Sequence, residues 1–284
     1  MKQVAIFSIK GGVGKSTVSA GFCRALRDRD YKVGYCEIDI SGTSGHRAFG
    51  LATPPPLQVD TATSKIVPPL VEGIKMLPLA SKFSEDACVT WRVDGREIQI
   101  PDGSTIVDRG RIGIIQDLLT GGVDWGDLDW LVYDLPPSSS EESFSFFELI
   151  SELFGVIIVS HPTSLSTVGA KKTIDMLKTV QQPVIGLVEN MSYFLCPNCG
   201  TSVYPFLDAK SNMVALCHQY RIPLLVSIPQ SNDPAQLKVY FDTLVTRVLT
   251  VKPRILKQEI FTKSNRFKRF VTNQTAQQVL KWKR

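Results

Sequence analysis

The sequence lacks the features that mark membrane-spanning and secreted proteins. No apolar run approaches the roughly 18 residues of a transmembrane helix. The chain enters a predicted strand at once, so we expect no signal peptide. Its 284 residues include only six cysteines, at irregular spacing, which is unlike the disulfide framework of a small secreted protein. We therefore expect a reducing, cytoplasmic environment.

Acidic residues are nearly absent from the end of the chain. Residues 251–284 contain ten of the 32 Lys and Arg residues but only one of the 27 acids, so this segment carries +9 and residues 1–250 carry −4. We predict one folded domain over 1–250, followed by a basic extension over 251–284. Aromatic residues among the basic ones could allow the extension to contact nucleic acid or a membrane surface, although a solvated extension is the simpler interpretation.

Apolar strands that alternate with amphipathic helices predict an α/β fold, with a mostly parallel sheet flanked by helices on both faces. Strands are predicted over 3–8, 33–38, 130–134, 155–160, 184–189 and 224–228. Helices are predicted over 16–29, 109–119, 143–152, 165–180, 209–220 and 234–249. The proline-rich stretch 51–70 is predicted to be a loop excursion, and Asp94-Gly95 the turn of a hairpin.

The most informative segment lies between the first predicted strand and helix. It reads Ile9-Lys10-Gly11-Gly12-Val13-Gly14-Lys15-Ser16-Thr17. Its glycines let the backbone close around phosphate oxygens, and the free N–H groups of the following helix attract anions. Lys15 would contact the β- and γ-phosphates, and the Ser16 hydroxyl would hold Mg²⁺. The residues from Gly11 to Thr17 therefore predict a nucleotide-binding loop.

Two aspartates lie where strands are predicted to end on the side of this loop. Carboxylates at that edge can support Mg²⁺ and the attacking water. We expect Asp134 to reach Mg²⁺ through a water, and Asp39 to orient or activate the nucleophilic water. The chain has no Asn-Lys-x-Asp guanine motif, which favours ATP over GTP.

A pair of cysteines, Cys196-Pro197-Asn198-Cys199, follows the strand predicted at 184–189. Two thiolates are half of the four that a 4Fe–4S cluster requires, and a twofold dimer would supply the other pair. Zinc is the main alternative, because Cys-Pro-x-Cys-Gly is also typical of half a zinc ribbon. Cys217 and His218 could complete a zinc site, but adjacent residues in a predicted helix point in different directions. A redox pair and a purely structural turn are further alternatives.

Several of these segments resemble known families. Three segments resemble the ParA/MinD superfamily of ATPases with a deviant Walker A motif. They are the loop from Lys10 to Thr17, Glu37-Ile38-Asp39-Ile40-Ser41-Gly42 and Asp134-Leu135-Pro136-Pro137. A longer segment more narrowly resembles the Mrp/ApbC family of iron–sulfur cluster carrier ATPases. It reads Val188-Glu189-Asn190-Met191-Ser192-Tyr193-Phe194-Leu195-Cys196-Pro197-Asn198-Cys199-Gly200. The resemblance covers roughly residues 1–232.

The resemblance implies an ATP-binding and ATP-hydrolysing homodimer that transfers iron–sulfur clusters to apoproteins. Lys10 would reach across the interface to the partner's nucleotide and act in hydrolysis together with Lys15 and Asp39. Asn190 and Pro229 would contact adenine. The cysteine pairs of two subunits would share one 4Fe–4S cluster.

The chain departs from the family pattern at several positions. Ile9 stands where the usual phosphate loop has glycine, and Glu37 where the family usually has aspartate. Ser138-Ser139-Ser140-Glu141 replaces Gly-Thr-Gly-Asp, from which we expect a stiffer switch segment and an altered hydrolysis rate. Two other functions remain open: a ParA/MinD-like positioning ATPase that binds DNA or membrane, and a zinc-binding regulatory ATPase.

Overall fold

The computed structural model describes residues 1–39, 45–78, 97–99, 105–107, 110–137, 141–150, 152–196, 198–205, 207–231 and 233–256. The strands are β1 (Lys2–Phe7), β2 (Val33–Glu37), β3 (Gln58–Asp60), β4 (Lys65–Val67), β5 (Leu70–Val71), β6 (Ile74–Leu77), β7 (Glu97–Gln99), β8 (Thr105–Val107), β9 (Trp130–Asp134), β10 (Gly155–Ser160), β11 (Pro183–Glu189), β12 (Phe194–Leu195), β13 (Ser202–Val203), β14 (Leu224–Ser227) and β15 (Arg254–Ile255). The helices are α1 (Lys15–Arg27), α2 (Gly45–Ala48), α3 (Gly110–Leu119), α4 (Glu141–Leu149), α5 (Ser164–Thr179), α6 (Leu207–Tyr220) and α7 (Pro234–Thr250).

A nine-stranded sheet in the order β14-β11-β10-β1-β9-β2-β6-β5 forms the centre of the fold, and β15 also pairs with β11. The strands from β14 to β6 run parallel, whereas β5 and β15 are antiparallel to their neighbours. Every residue of β2, β9 and β10 is buried, as expected for strands covered on both faces. The predicted α/β fold is confirmed.

Two apolar clusters cover the two faces of the sheet. On one face, Phe22 of α1 packs edge-on against Trp130, with ring centroids 6.3 Å apart, and α7 lies alongside α1. On the other face, Phe7 packs against Phe147 of α4 at 5.4 Å, together with α5 and α6. None of the helices in the described ranges is long and apolar enough to cross a membrane.

The register of the central strands determines where the site forms. In β1, Ile6 pairs with Asp134 of β9, and Phe7 pairs with Ile158 of β10. Because these strands are parallel, their carboxyl ends meet at one edge of the sheet. The loop after β1, Asp134 and the segment after β11 therefore share that edge.

The predicted helices agree with the structure within three residues at each end. The prediction of a loop over 51–70 is wrong in part, because β3 and β4 pair as a hairpin and β5 pairs with β6. Strand β6 was not predicted, because four residues that include Lys75 are too short to show a period. Asp94-Gly95 lies outside the described residues, as does the extension from 257 to 284.

The contact between α1 and α7 generates the first prediction. A Cβ added at Gly21 would lie 2.3 Å from the Phe241 ring, whereas one at Gly169 in α5 would meet Lys10 Cβ at an ordinary 3.5 Å. Overpacking at Gly21 should outweigh the gain in helix propensity, so Gly21→Ala should destabilise the protein by about 1–2 kcal/mol. Gly169→Ala, the matched control, should be neutral or stabilising. Urea unfolding measures both, and equal effects would contradict the packing argument.

Candidate functional site

The loop between β1 and α1 has the backbone geometry of a phosphate cradle. Gly12 and Gly14 have φ angles of 73° and 83°, which side-chain-bearing residues rarely adopt. Gly14 is the N-cap of α1 and offers no side chain to cap it. The first N–H groups of α1 are therefore free of a capping side chain and can bind an anion.

Asn190 forms hydrogen bonds that connect this loop to the end of β10. Its side-chain amide donates a 2.9 Å hydrogen bond to the Val13 carbonyl, and its own backbone N–H donates to the Ser160 carbonyl at 2.8 Å. A Cβ at Gly14 would lie only 2.2 Å from the Asn190 amide nitrogen, so glycine is required there for space as well as for φ. The adenine contacts expected of Asn190 and Pro229 stay predictions. Both residues are buried here.

Asp134 lies beneath the loop with 2% of its surface exposed. Its Oδ2 accepts a 3.0 Å hydrogen bond from the Tyr35 hydroxyl, and Ser16 also hydrogen-bonds to the carboxylate. Burial raises the pKa of Asp134, while these hydrogen bonds and the charge of Lys15 oppose the rise. Its Oδ1 has no hydrogen-bond partner among the described residues. A buried carboxylate with one free oxygen next to a serine hydroxyl fits Mg²⁺.

Lys15 is a buried ammonium with two carboxylates near it. Lys15 is 8% exposed, and burial lowers its pKa, while the charges of Asp134 and Asp39 oppose that change. Asp39 lies two residues beyond the end of β2 and is half-buried. The structure thus brings Lys15, Ser16, Asp39 and Asp134 to one place. Residues 40–44 and 138–140, which include the serine-rich switch segment, lie outside the described residues.

Glu37 holds the short helix next to this site. It is buried at the end of β2, and its Oε1 accepts a 2.7 Å hydrogen bond from the Gly45 N–H at the start of α2. A Cβ at Gly45 would lie 2.2 Å from the Tyr35 hydroxyl oxygen. The sequence showed Glu37 only as a departure from a family pattern and gave no signal for Tyr35, whose partners are distant in the chain.

Lys10 lies at the outer side of the loop and contacts α5 of its own chain. Its Nζ donates a 2.8 Å hydrogen bond to the Ser166 hydroxyl, which is itself buried. The preceding residue, Ile9, packs its side chain against the core, and its N–H donates to Thr173 at 3.1 Å. Position 9 therefore does not need glycine in this chain.

The cysteine pair lies in the turn of a small hairpin formed by β12 and β13. The Cys196 N–H donates to the Thr201 carbonyl at 2.9 Å, and the Gly200 N–H donates to the Cys196 carbonyl at 2.8 Å. Cys199 is exposed and Cys196 is half-buried. Hydrogen bonding with Thr201 and Cys196 lowers the pKa of the Cys199 thiol. The turn presents one exposed, acidified thiol and a second thiol beside it.

The other described cysteines differ in their surroundings. Burial raises the pKa of Cys23 and Cys36, and that of Cys217 to about 12. Cys217 and His218 line a cavity near the start of β11, whereas the cysteine pair follows the end of that strand. The described part of the chain contains no group of three or more His, Cys, Asp or Glu side chains placed to hold a metal. The structure therefore does not bring Cys217 and His218 to the pair.

A short segment after β11 connects the phosphate loop to the hairpin that carries the cysteine pair. Glu189, 1% exposed, accepts hydrogen bonds from the hydroxyls of Ser192 and, at 3.0 Å, Ser227. Its carbonyl accepts from the Ile228 N–H at 2.8 Å. Asn190, which supports the phosphate loop, is the next residue, and the hairpin begins four residues later. Sequence reasoning did not single out Glu189.

Comparison with known proteins agrees with this arrangement. A family model described as the NUBPL iron-transfer P-loop NTPase, of the ParA group, matches residues 1–253. The chain belongs to this family. The resemblance seen in the sequence is confirmed, and so is nucleotide binding as the family's general property.

Relatives of this NTPase have informative names. A protein of Saccharolobus solfataricus named as an iron–sulfur cluster carrier is 33% identical over 82% of this chain and 75% of its own length. A Kluyveromyces lactis protein named as the cytosolic Fe–S cluster assembly factor CFD1 is 32% identical, over 80% of this chain and 75% of its own length.

Solved structures also resemble this NTPase. A nucleotide-binding protein from Archaeoglobus fulgidus in complex with ADP is 27% identical, has a TM-score of 0.65, and aligns over 90% of this chain and 94% of its own. The septum site-determining protein MinD of Pyrococcus horikoshii, complexed with Mg-ADP, is 18% identical with a TM-score of 0.55 over 87% of this chain and 95% of its own. The second likeness shows the fold alone.

The buried carboxylate generates a prediction about the nucleotide-free NTPase. Since burial raises the pKa of Asp134 in the folded chain, its charged form costs stability at neutral pH, and this cost vanishes as the pH falls toward the ordinary aspartate value. Asp134→Asn should raise the melting temperature of the nucleotide-free protein at pH 7 by about 2–4 °C per kcal/mol of cost removed. The same variant should lose the extra stabilisation that Mg²⁺ gives to the ADP complex.

Thermal melts with ADP, in Mg²⁺ and in EDTA, measure both effects. An unchanged Mg²⁺-dependent increment in the variant would contradict the assignment of Asp134 to the metal.

The thiol environments generate a second prediction. Because the pKa of Cys199 is lowered and the thiol is exposed, it should react with iodoacetamide at neutral pH much faster than Cys23, Cys36 or Cys217. Peptide mass spectrometry after a timed reaction measures the order. Thr201→Val removes the hydrogen bond at 3.2 Å between the Cys199 thiol and the Thr201 hydroxyl and should slow alkylation of Cys199. Equal rates in both proteins would refute that role for Thr201.

Proposed function

We propose that this protein is an ATPase that carries iron–sulfur clusters to apoproteins and acts as a homodimer. The observation that carries the proposal is the placement of two sites in one fold. A glycine-rich phosphate cradle and a turn with two accessible thiols lie at either end of the segment from Asn190 to Tyr193. Relatives named as iron–sulfur cluster carriers support the same function.

The nucleotide half of the activity follows from charge and geometry. The first N–H groups of α1 and the Lys15 ammonium would bind the phosphates, and Ser16 and Asp134 would hold Mg²⁺. Mg²⁺, when bound, neutralises charge that develops on the phosphates during hydrolysis. Asp39, which is half-buried beside Lys15, would orient the attacking water. The absence of a guanine motif supports ATP as the nucleotide.

The cargo half follows from the number of ligands. Each chain offers Cys196 and Cys199, and its described residues place no third metal-binding side chain beside this pair. A 4Fe–4S cluster requires four thiolates, which a twofold dimer supplies by symmetry. Two ligands from each chain in an exposed turn give a site from which a cluster can leave. Zinc bound by the same four thiolates is the competing occupant.

Lys10 is proposed to act on the nucleotide of the partner subunit. In the single chain its ammonium is bonded to a neutral hydroxyl, that of Ser166. A neutral partner binds an ammonium less strongly than a phosphate does. Formation of a dimer with ATP would therefore give Lys10 a stronger partner across the interface.

A DNA- or membrane-positioning ATPase is the alternative that the sequence left open. The likeness to MinD shows the fold alone, and the Cys196–Cys199 pair has no role in that function. The basic residues beyond 256 on which the alternative depends lie outside the described part of the chain.

Replacing both cysteines tests the carrier function. Cys196→Ser with Cys199→Ser should abolish binding of iron and sulfide during anaerobic reconstitution, because a serine hydroxyl is a poor ligand for the cluster irons. ATP affinity should stay within twofold, since β12 and β13 pair with each other, and Asn190, which contacts the phosphate loop, lies outside this hairpin. The matched control is Cys217→Ala, at a buried cysteine of α6 near the start of β11, and this variant should retain the cluster.

Iron and sulfide analysis, with ATP binding measured by calorimetry, decides the outcome. Retention of iron and sulfide by the double variant would sink the proposal. If the wild-type protein binds no iron but binds zinc tightly and in stoichiometric amount, the zinc-binding alternative is favoured instead.

A further inference from the structure

A second site lies at the opposite edge of the sheet from the phosphate loop. A cavity of about 690 Å³ opens between the end of α6, the start of β11 and the segment after α7. Its floor includes the buried side chains of Val184 and Ile222. Its other lining residues include four basic ones, His218, Arg221, Lys252 and Arg254. We call this the distal cavity.

The distal cavity continues into a groove. A neighbouring cavity of about 510 Å³ shares Arg221 and Arg254 and adds Lys178, whose ammonium lies 5.1 Å from the centre of the Tyr220 ring. None of the described residues that line either cavity is acidic. Most of these basic residues belong to the region 1–250, which carries a net charge of −4. Lys252 and Arg254 directly follow that region.

Backbone hydrogen bonds fix the positions from which these basic side chains extend. Arg254 pairs with Val184, and Ile255 with Pro183, in the antiparallel pairing of β15 with β11. Ile255 is nevertheless 60% exposed, so this pairing buries little apolar surface. Arg221 follows α6 with a φ of 55°, and its N–H donates to the His218 carbonyl at 3.1 Å. The guanidinium groups of Arg221 and Arg254 thus arise from fixed backbone positions at the shared wall of both cavities.

We propose that the distal cavity and its groove bind an acidic segment of a partner protein that also carries apolar side chains. Arginine guanidinium groups bind carboxylates through paired hydrogen bonds. The floor at Val184 and Ile222 can receive an apolar side chain between the carboxylates. This binding does not depend on the nucleotide site or on the cysteine pair.

Charge and shape argue against two other occupants. Residues 257–284 contain eight Lys and Arg residues and one acid, so the chain's own extension has the wrong charge. Single-stranded nucleic acid generally requires aromatic side chains for base stacking. Among the described residues that line the distal cavity and its groove, Tyr220 is the one aromatic residue, and the Lys178 ammonium lies over its ring.

Fluorescence anisotropy with the full chain tests the proposal. The probe is a short fluorescein-labelled peptide of alternating glutamate and leucine, compared with the same peptide carrying lysine for glutamate and with labelled oligothymidylate. Arg221→Glu with Arg254→Glu should weaken binding of the acidic peptide by about tenfold or more. Arg221→Gln with Arg254→Gln, which adds no repulsion, should give a smaller loss. The matched control, Lys268→Glu with Arg269→Glu, makes the same charge change in the extension and should leave the affinity within twofold.

The proposal predicts binding of the acidic peptide over the lysine peptide, lost with the groove variants and kept in the control. Unchanged affinity in both groove pairs, with unaltered melting temperatures, would overturn it. A loss confined to the Lys268 and Arg269 variant would assign the binding to the extension. If oligothymidylate binds more tightly than the acidic peptide, and the groove variants lose this oligothymidylate binding, the groove is a nucleic-acid site and the proposal is wrong.

Discussion

The hydrogen bond from the Asn190 side chain to the Val13 carbonyl is the contact on which the arrangement of the site depends. It ties the phosphate loop, which follows the central strand β1, to the end of β11 two strands away. The contact exists only because position 14 has no Cβ. The residue that makes it begins the segment leading to the cysteine turn. The nucleotide and the cargo are therefore proposed to bind at two ends of one partly buried, hydrogen-bonded segment.

Buried charge is the second constraint at this edge of the sheet. Asp134 and Glu189 each have one carboxylate oxygen without a hydrogen-bond partner among the described residues. Such groups cost stability unless a cation or another donor reaches them. For Asp134, which lies beside the Ser16 hydroxyl, the proposed partner is Mg²⁺. Binding of the metal would then offset the cost of this buried carboxylate.

The fold and the phosphate loop could be predicted because both depend on local patterns. Strands such as β10 are nearly continuous apolar runs, and the three glycines of the loop lie within the four positions 11–14. Residues whose role comes from distant partners could not be found this way. Tyr35 reaches Asp134, 99 positions away, and Lys10 reaches Ser166, 156 positions away. Glu189 gave no signal either, because a buried acid is indistinguishable from a solvated one in a single sequence.

We propose that one cluster needs the thiolates of two chains. Sedimentation equilibrium of the anaerobically reconstituted protein, combined with iron and sulfide analysis of the same sample, tests this. Cluster-loaded protein should have the mass of two chains and contain four irons and four sulfides per pair. A cluster-loaded monomer, with four irons on a single chain, would refute the shared site.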